Sequence, residues 1–187
     1  MSKQTRILLV GVGGQGIALA SVMLAEAAGI YDGKHVLQTE EYGVSARGGN
    51  SRAGVIISDE MIDHISVDRP DILLAMNETA IKKCAGLLSP EGIVIADAGP
   101  VKEADCGRKI YLIPFTETAR DEMGNRMLAA VMALAAIAVL SGAVSEDALR
   151  KAVAKRAPTL LVDLNLRALE RGFELARNAR EGQGSGD

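Results

Sequence analysis

Cysteine, tryptophan and any excess of basic charge are what this sequence has least of. Its 187 residues include 2 cysteines, Cys84 and Cys106, which lie far apart and form no CxxC pattern. Two thiols cannot ligate an iron–sulfur cluster or close a structural zinc site within one chain. They read instead as free thiols in a reducing compartment. Tryptophan is absent and aromatic residues are 3% of the chain, so a surface that stacks nucleic-acid bases is excluded. The formal net charge of −3 gives no basic footprint for nucleic acid either. No apolar run is long enough to span a bilayer. Met127–Leu140 is almost wholly apolar, but it is shorter than a span and is bounded by Arg126 and Ser141–Gly142, so it reads as a buried helix. Polar Met1–Arg6 leads straight into an apolar run that Gly11 cuts short, which is no signal peptide. The expectation is a cytoplasmic protein with no membrane and no nucleic-acid partner.

Hydrophobic residues make up 48% of the chain and charged residues 24%, the balance of a globular domain. With so few aromatics, the core must come from Ala, Val, Ile, Leu and Met. That composition suits helices packed on a parallel sheet. Ile7–Val10, Lys34–Thr39, Asp71–Met76, Ile93–Ala96 and Lys109–Pro114 read as strands. Ser51–Ser58 and Met61–Ser66, joined by polar Asp59–Glu60, read as an antiparallel hairpin. Helices are expected from Gln15 to about Gly29, from Asn77 (the N-cap candidate, with Thr79 as a second) to about Leu88, and over Thr116–Glu122, Arg126–Leu140, Ser145–Ala157 and Asp163–Arg180. Strand–helix alternation gives an α/β, Rossmann-like fold. Its sheet is mostly parallel with an antiparallel hairpin, and the C-terminal third is helical. Residues 1–180 form a single domain, and the polar Gly/Ser-rich Glu181–Asp187 reads as a disordered tail.

Gly11-Val12-Gly13-Gly14-Gln15-Gly16 fits G-x-G-x-x-G, directly after a strand and opening a helix. Gly11 permits the sharp turn, Gly13 lets an anionic group approach the backbone, and Gly16 lets the helix pack close to the strand. Free N–H groups and the helix dipole there favour phosphate. Two readings stand side by side. One is a phosphate-bearing ligand held at Gly11, Gly13, Gly14, Gln15 and Gly16. The other is a tight strand-to-helix turn and nothing more. A nicotinamide dinucleotide site further requires an acid about 20 residues on, at the end of the second strand; Glu40 and Glu41 lie beyond that spacing.

The polar stretch Glu40–Asn50 reads as a loop, and it runs on into Ser51 and Arg52. Arg47 and Arg52 bracket Gly48, Gly49 and Ser51. Glycines remove bulk, and two guanidinium groups can meet phosphate or carboxylate in bidentate fashion. Equally, Arg47 could pair with Glu40 or Glu41 and pin the loop.

Gly-Val-Gly-Gly-Gln-Gly, then Glu41-Tyr42-Gly43, then Ala46-Arg47-Gly48-Gly49-Asn50-Ser51-Arg52-Ala53 resembles the gamma subunit of 2-oxoacid:ferredoxin oxidoreductases. The resemblance continues through Pro70–Met76, Gly92–Asp97, Ile113–Phe115, Gly124-Asn125 before the apolar helix, and Asn165 with Ala168, Leu169 and Gly172. It covers nearly all of the chain except the tail. The Ala-Arg-Gly-Gly-x-Ser-Arg-Ala form looks most like the 2-oxoglutarate branch, with the indolepyruvate branch as the rival. Ala129-Ala130 departs from relatives that carry an Asn there.

The resemblance implies a chain that cannot turn over alone. Alpha and beta subunits, with a ferredoxin-like delta subunit in some arrangements, would carry thiamine diphosphate and the iron–sulfur clusters. The whole enzyme would decarboxylate a 2-oxoacid, reduce ferredoxin and pass the acyl group to coenzyme A. No cofactor is expected in this chain, and coenzyme A is the shared substrate. The resemblance also places the gamma part on the coenzyme A side of the site. Two other classes compete with it: a free-standing NAD(P)-dependent dehydrogenase, and a nucleotide- or coenzyme A-binding regulatory module. His35 and His64 neighbour no Ser or Cys in a triad-like pattern and read as structural. Asp97, at a strand end, reads as capping the turn Asp97–Gly99.

Overall fold

The computed structural model describes residues 4–42, 50–101 and 106–184. Six strands make one sheet: β1 (Gln4–Val12), β2 (His35–Tyr42), β3 (Asn50–Ser58), β4 (Ile72–Ala75), β5 (Ile93–Asp97) and β6 (Lys109–Ile113), in the order β2-β3-β1-β4-β5-β6. β1, β4, β5 and β6 are parallel, and β3 runs antiparallel to both its neighbours, β1 and β2. β3 alone therefore opposes the direction of the rest. The continuous apolar runs of β1 and β4 are buried on both faces, as parallel strands covered by helices require.

The antiparallel hairpin is present, but not where the sequence suggests it. β3 pairs with β2 on one edge and with β1 on the other, so neither edge is left for Met61–Ser66, which forms no strand. That segment crosses the sheet face instead. Met61 and Ile65 stay exposed, and Val67, just after the segment, is buried. A Cβ on Gly54 would lie 2.8 Å from Val67 Cγ2 and 2.9 Å from Thr39 Oγ1, so the missing side chain of Gly54 is what seats the crossing. β2 also runs on through Glu40 to Tyr42, which the sequence reads as loop. It is an edge strand, where polar residues are expected.

The helices are α1 (Ile17–Glu26), continued by a widened turn over Ala27–Tyr31, then α2 (Glu78–Cys84), α3 (Phe115–Met123), α4 (Ala129–Ser141), α5 (Glu146–Arg156) and α6 (Val162–Gly184). Asn77 caps α2, its Oδ1 accepting the Ala80 N–H at 2.9 Å. Ser145 caps α5, its Oγ accepting the Ala148 N–H at 3.1 Å. α6 runs past Arg180 into the stretch read as tail. One face of the sheet (Ile7, Leu9, Val55, Leu74) packs with α1, α4, α5 and α6; the other (Leu8, Val10, Ile56, Leu73) packs with α2 and Val67. Residues Ala129–Ala138 of α4 are all buried, as a helix apolar on every side must be. The body of the long apolar run, from Leu128 to Ala138, is thus interior, while Met127 at its start is exposed. Among the described residues no helix is long and apolar enough to cross a membrane.

Candidate functional site

The site lies where β1 ends. Gly11 is the last buried residue of that strand. A Cβ on it would sit 2.6 Å from Gln15 Oε1 and 2.8 Å from Ile17 Cγ1. Its bareness lets Gln15 fold back over the turn. Gln15 Oε1 accepts the Val12 N–H at 2.7 Å, and Nε2 lies 3.5 Å from the Met76 carbonyl at the end of β4. Gln15 thereby ties the turn to the neighbouring parallel strand. Gly14 and Gly16 have φ of +87° and +78°, the left-handed region that favours glycine. Gly14, which the dinucleotide pattern leaves free, is therefore required by the backbone. Gly16 is the N-cap of α1; it offers no side-chain acceptor, and no acid stands in the first turn. The N–H groups that open α1 remain available to an anion.

Opposite this turn stand the starts of α3 and α4. Gly124, at φ 68°, ends α3. Asn125 Oδ1 then accepts the Met127 N–H at 3.0 Å, which fixes Arg126 and Met127 at the rim. Val12, Gly13, Gly14, Gln15, Met76, Thr116, Arg126, Met127 and Ala129 enclose a cavity of about 360 Å³, within the range of small-molecule sites. Ala129, at the start of α4, is part of that wall.

Asp97 holds the far side. It is completely buried. One carboxylate oxygen accepts the Thr116 N–H at 3.2 Å and the other accepts the Thr116 hydroxyl. The N–H groups of Gly99 and Phe115 also donate to it, so it caps its own turn and in addition pins α3 to the end of β5. Burial pushes the Asp97 carboxyl above its ordinary range, and the hydrogen bonds to the Thr116 hydroxyl and to the three N–H groups pull partly against that. A carboxyl raised on folding contributes stability that is fully present below its unfolded pKa and is lost as pH rises through its folded one. The stability of the wild type relative to Asp97→Asn is therefore expected to be greatest at acid pH. It should fall as pH climbs from the ordinary carboxylate range through the raised value, then level off. Denaturant unfolding of both proteins across that range checks it, and a difference flat with pH would contradict it.

The residues singled out in the sequence fall into three groups. Gly13, Gly14 and Gln15 line the cavity, with Gly11 and Gly16 framing it. Ser51 and Arg52 separate. Ser51 is in register with Gly11 and Arg52 with Val10, and side chains alternate along a strand. Ser51 thus shares the face of the glycine turn. Arg52 lies on the other face, in a second cavity of about 110 Å³ with Leu8, Thr39, Gly54, Ser66, Val67 and Asp68. Arg47, Gly48 and Gly49 lie outside the described residues. Sequence reasoning missed Thr116, Arg126 and Met127 as lining residues. The signal was present in Gly124-Asn125-Arg126, a helix stop and a cap followed by a cation.

The topology also bears on the dinucleotide reading. β3 stands between β1 and β2, so Glu40 and Glu41 are two strands away from the glycine turn, roughly 10 Å at ordinary strand spacing. An acid placed there cannot serve as the ribose-binding residue that follows β1 in a dinucleotide fold.

The site opens beside an apolar surface. Leu160 is 97% exposed, Met127 53% and Leu19 48%. Leu19, Met127 and Leu161 border a neighbouring apolar hollow with Met23, Val131 and Pro158.

Comparison with known proteins agrees with the fold. The model of the pyruvate ferredoxin/flavodoxin oxidoreductase family matches residues 6–175. Over 180 residues the chain is 38% identical to the 2-oxoglutarate synthase subunit KorC of Methanocaldococcus jannaschii, covering 95% of each. The gamma subunit of a keto/oxoacid ferredoxin oxidoreductase from Geobacter sulfurreducens is 38% identical and superposes with a TM-score of 0.84 over 93% of this chain and 99% of that one. The 2-oxoglutarate:ferredoxin oxidoreductase of Magnetococcus marinus, solved with 2-oxoglutarate, coenzyme A and succinyl-CoA bound, is 25% identical with a TM-score of 0.85. There the match covers 95% of this chain and 32% of the other, so the same fold also occurs as one part of a longer polypeptide.

Proposed function

The chain belongs to the pyruvate ferredoxin/flavodoxin oxidoreductase family, and from that premise we propose that it is the gamma subunit of a thiamine diphosphate-dependent 2-oxoacid:ferredoxin oxidoreductase acting on 2-oxoglutarate. The enzyme as a whole converts the 2-oxoacid and coenzyme A into an acyl-CoA and CO2 and passes the electrons to ferredoxin. The observation that carries this reading is the end-to-end match to KorC, 95% of either chain. Thiamine diphosphate and the iron–sulfur clusters belong to the alpha, beta and delta partners. A cluster needs more thiolates than Cys84 and Cys106 supply.

This chain's own contribution is to the coenzyme A side. The glycine turn, Ser51 beside it and the Arg47-Gly48-Gly49 segment form an anion-binding rim. β3 starts at Asn50 in register with Val12, beside the turn. The apolar surface around Met127 and Leu160 faces the partner subunits.

Arg47→Ala in the assembled enzyme tests the rim. A charge-assisted hydrogen bond to phosphate contributes about 1.5–3 kcal/mol, or roughly tenfold or more in apparent affinity. The KM for coenzyme A is expected to rise by that factor while the KM for the 2-oxoacid holds. If Arg47 instead pairs with Glu40 or Glu41, both constants move together as the complex loosens. An unchanged coenzyme A constant in an intact complex removes Arg47 from the site.

A further inference from the structure

We propose that Arg126 is the residue that holds a phosphate of the ligand in the glycine-turn cavity. The assignment rests on the coenzyme A reading above and adds to it a residue that neither the motif nor the resemblance marks.

Three features of the cavity lead to it. First, Arg126 is the one formally charged residue among the described residues of the lining; the rest are Val12, Gly13, Gly14, Gln15, Met76, Thr116, Met127 and Ala129. Second, the described acids on the surrounding elements make no ion pair with it: Glu117, in the first turn of α3, lies near Arg120 instead. The first turns of α1 and α4 carry no acid, and Asp97, behind Thr116, is taken up by the hydroxyl and N–H groups that donate to it. Arg126 has no carboxylate partner among the described residues, whereas Arg120, Arg150, Arg156 and Arg171 each hold one. Third, its backbone is fixed. Gly124 reverses the chain at φ 68°, Asn125 caps the next turn through the Met127 N–H, and the Leu128 N–H closes on the Asn125 carbonyl at 3.2 Å.

The two walls are chemically complementary for one ligand class. The Val12 and Gln15 N–H groups are taken within the turn, which leaves those of Gly13, Gly14 and Gly16; with the Arg126 guanidinium they favour phosphate oxygens. Among the described residues no aromatic side chain lines the cavity, so they offer no stacking platform for a base there. Val12, Met76 and Met127 supply an apolar wall instead. The fit is to a phosphate ester with an aliphatic neighbour. Arg52 does not compete for this role, since it lies on the opposite sheet face.

The test uses the assembled enzyme with Arg126→Gln and Arg126→Lys and three acyl acceptors: coenzyme A, dephospho-coenzyme A and pantetheine. Arg126→Gln is expected to raise the KM for coenzyme A roughly tenfold or more, with kcat and the 2-oxoacid KM little changed and part of the affinity recovered by Arg126→Lys. With pantetheine, which carries no phosphate, variant and wild type should have the same KM. If the effect persists with dephospho-coenzyme A, the contact is to the pyrophosphate; if it disappears, the contact is to the 3′-phosphate. Either pattern supports the assignment. An unchanged coenzyme A constant overturns it, as does an equal rise for pantetheine or a variant chain that no longer joins the complex, which would make Arg126 a subunit contact. A wild-type complex indifferent to coenzyme A is a different failure: it removes the underlying reading, and the assignment with it.

Discussion

Gly172→Ala is expected to lower the melting temperature by about 5–10 °C, the shift that a loss of about 2–3 kcal/mol gives in a domain of this size. α4 and α6 pack in close contact at Gly172. A Cβ there would stand 2.5 Å from the Met132 carbonyl oxygen, 2.7 Å from Met132 Cα and 2.9 Å from Ala135 Cβ. Two of those atoms are backbone, so no rotamer change relieves the overlap and the helices must separate. Alanine is the better helix former by about 1 kcal/mol, while overpacking a close-packed interior costs about 1–3 kcal/mol and at times more. A clash with backbone belongs at the upper end, so overpacking wins. Gly182, in the same helix, has nothing within 4 Å of its would-be Cβ. Gly182→Ala should leave the melting temperature unchanged or slightly higher. Thermal unfolding of both variants decides the matter; a Gly172→Ala protein as stable as the wild type would mean that the helices do not meet as closely as described.

That crossing was only partly legible in the sequence. The all-round apolar character of residues 127–140 marks a buried helix, but nothing local says that its neighbour would be α6 at Gly172. The same division runs through the molecule. Strands and caps follow from neighbours in sequence: the β1 and β4 runs, Asn77 and Ser145 all emerged from local chemistry and stand as expected. Strand pairing depends on register between distant segments, and there the reading of Ser51–Ser66 as a hairpin failed. Both edges of β3 were already taken, by β1 and β2. At the site, the glycine turn was legible because its geometry is a matter of four glycines in six residues. The opposite wall was not, because Thr116 and Arg126 arrive from the starts of two later helices. The separation of Ser51 from Arg52 could have been read: once a strand begins beside them, alternation sends neighbours to opposite faces.

The last expectation is the largest in effect. The chain alone should give no reduction of a viologen dye from 2-oxoglutarate and coenzyme A, at any concentration. Oxidative decarboxylation needs an electron sink for the developing carbanion and a carrier for the released electrons. Among the described residues the cavity lining offers binding groups, amides and one guanidinium, and no carboxylate, imidazole or thiol. Binding groups of that kind can raise the occupancy of a substrate, but they cannot themselves break the bond to the carboxylate. The most direct measurement is therefore a dye-reduction assay on the purified chain by itself, on the partner subunits, and on the two recombined. Activity that appears only in the recombined sample, in step with the amount of this chain added, is the predicted result. Turnover of 2-oxoglutarate by the isolated chain, or a complex equally active without it, would contradict its assignment as the gamma subunit.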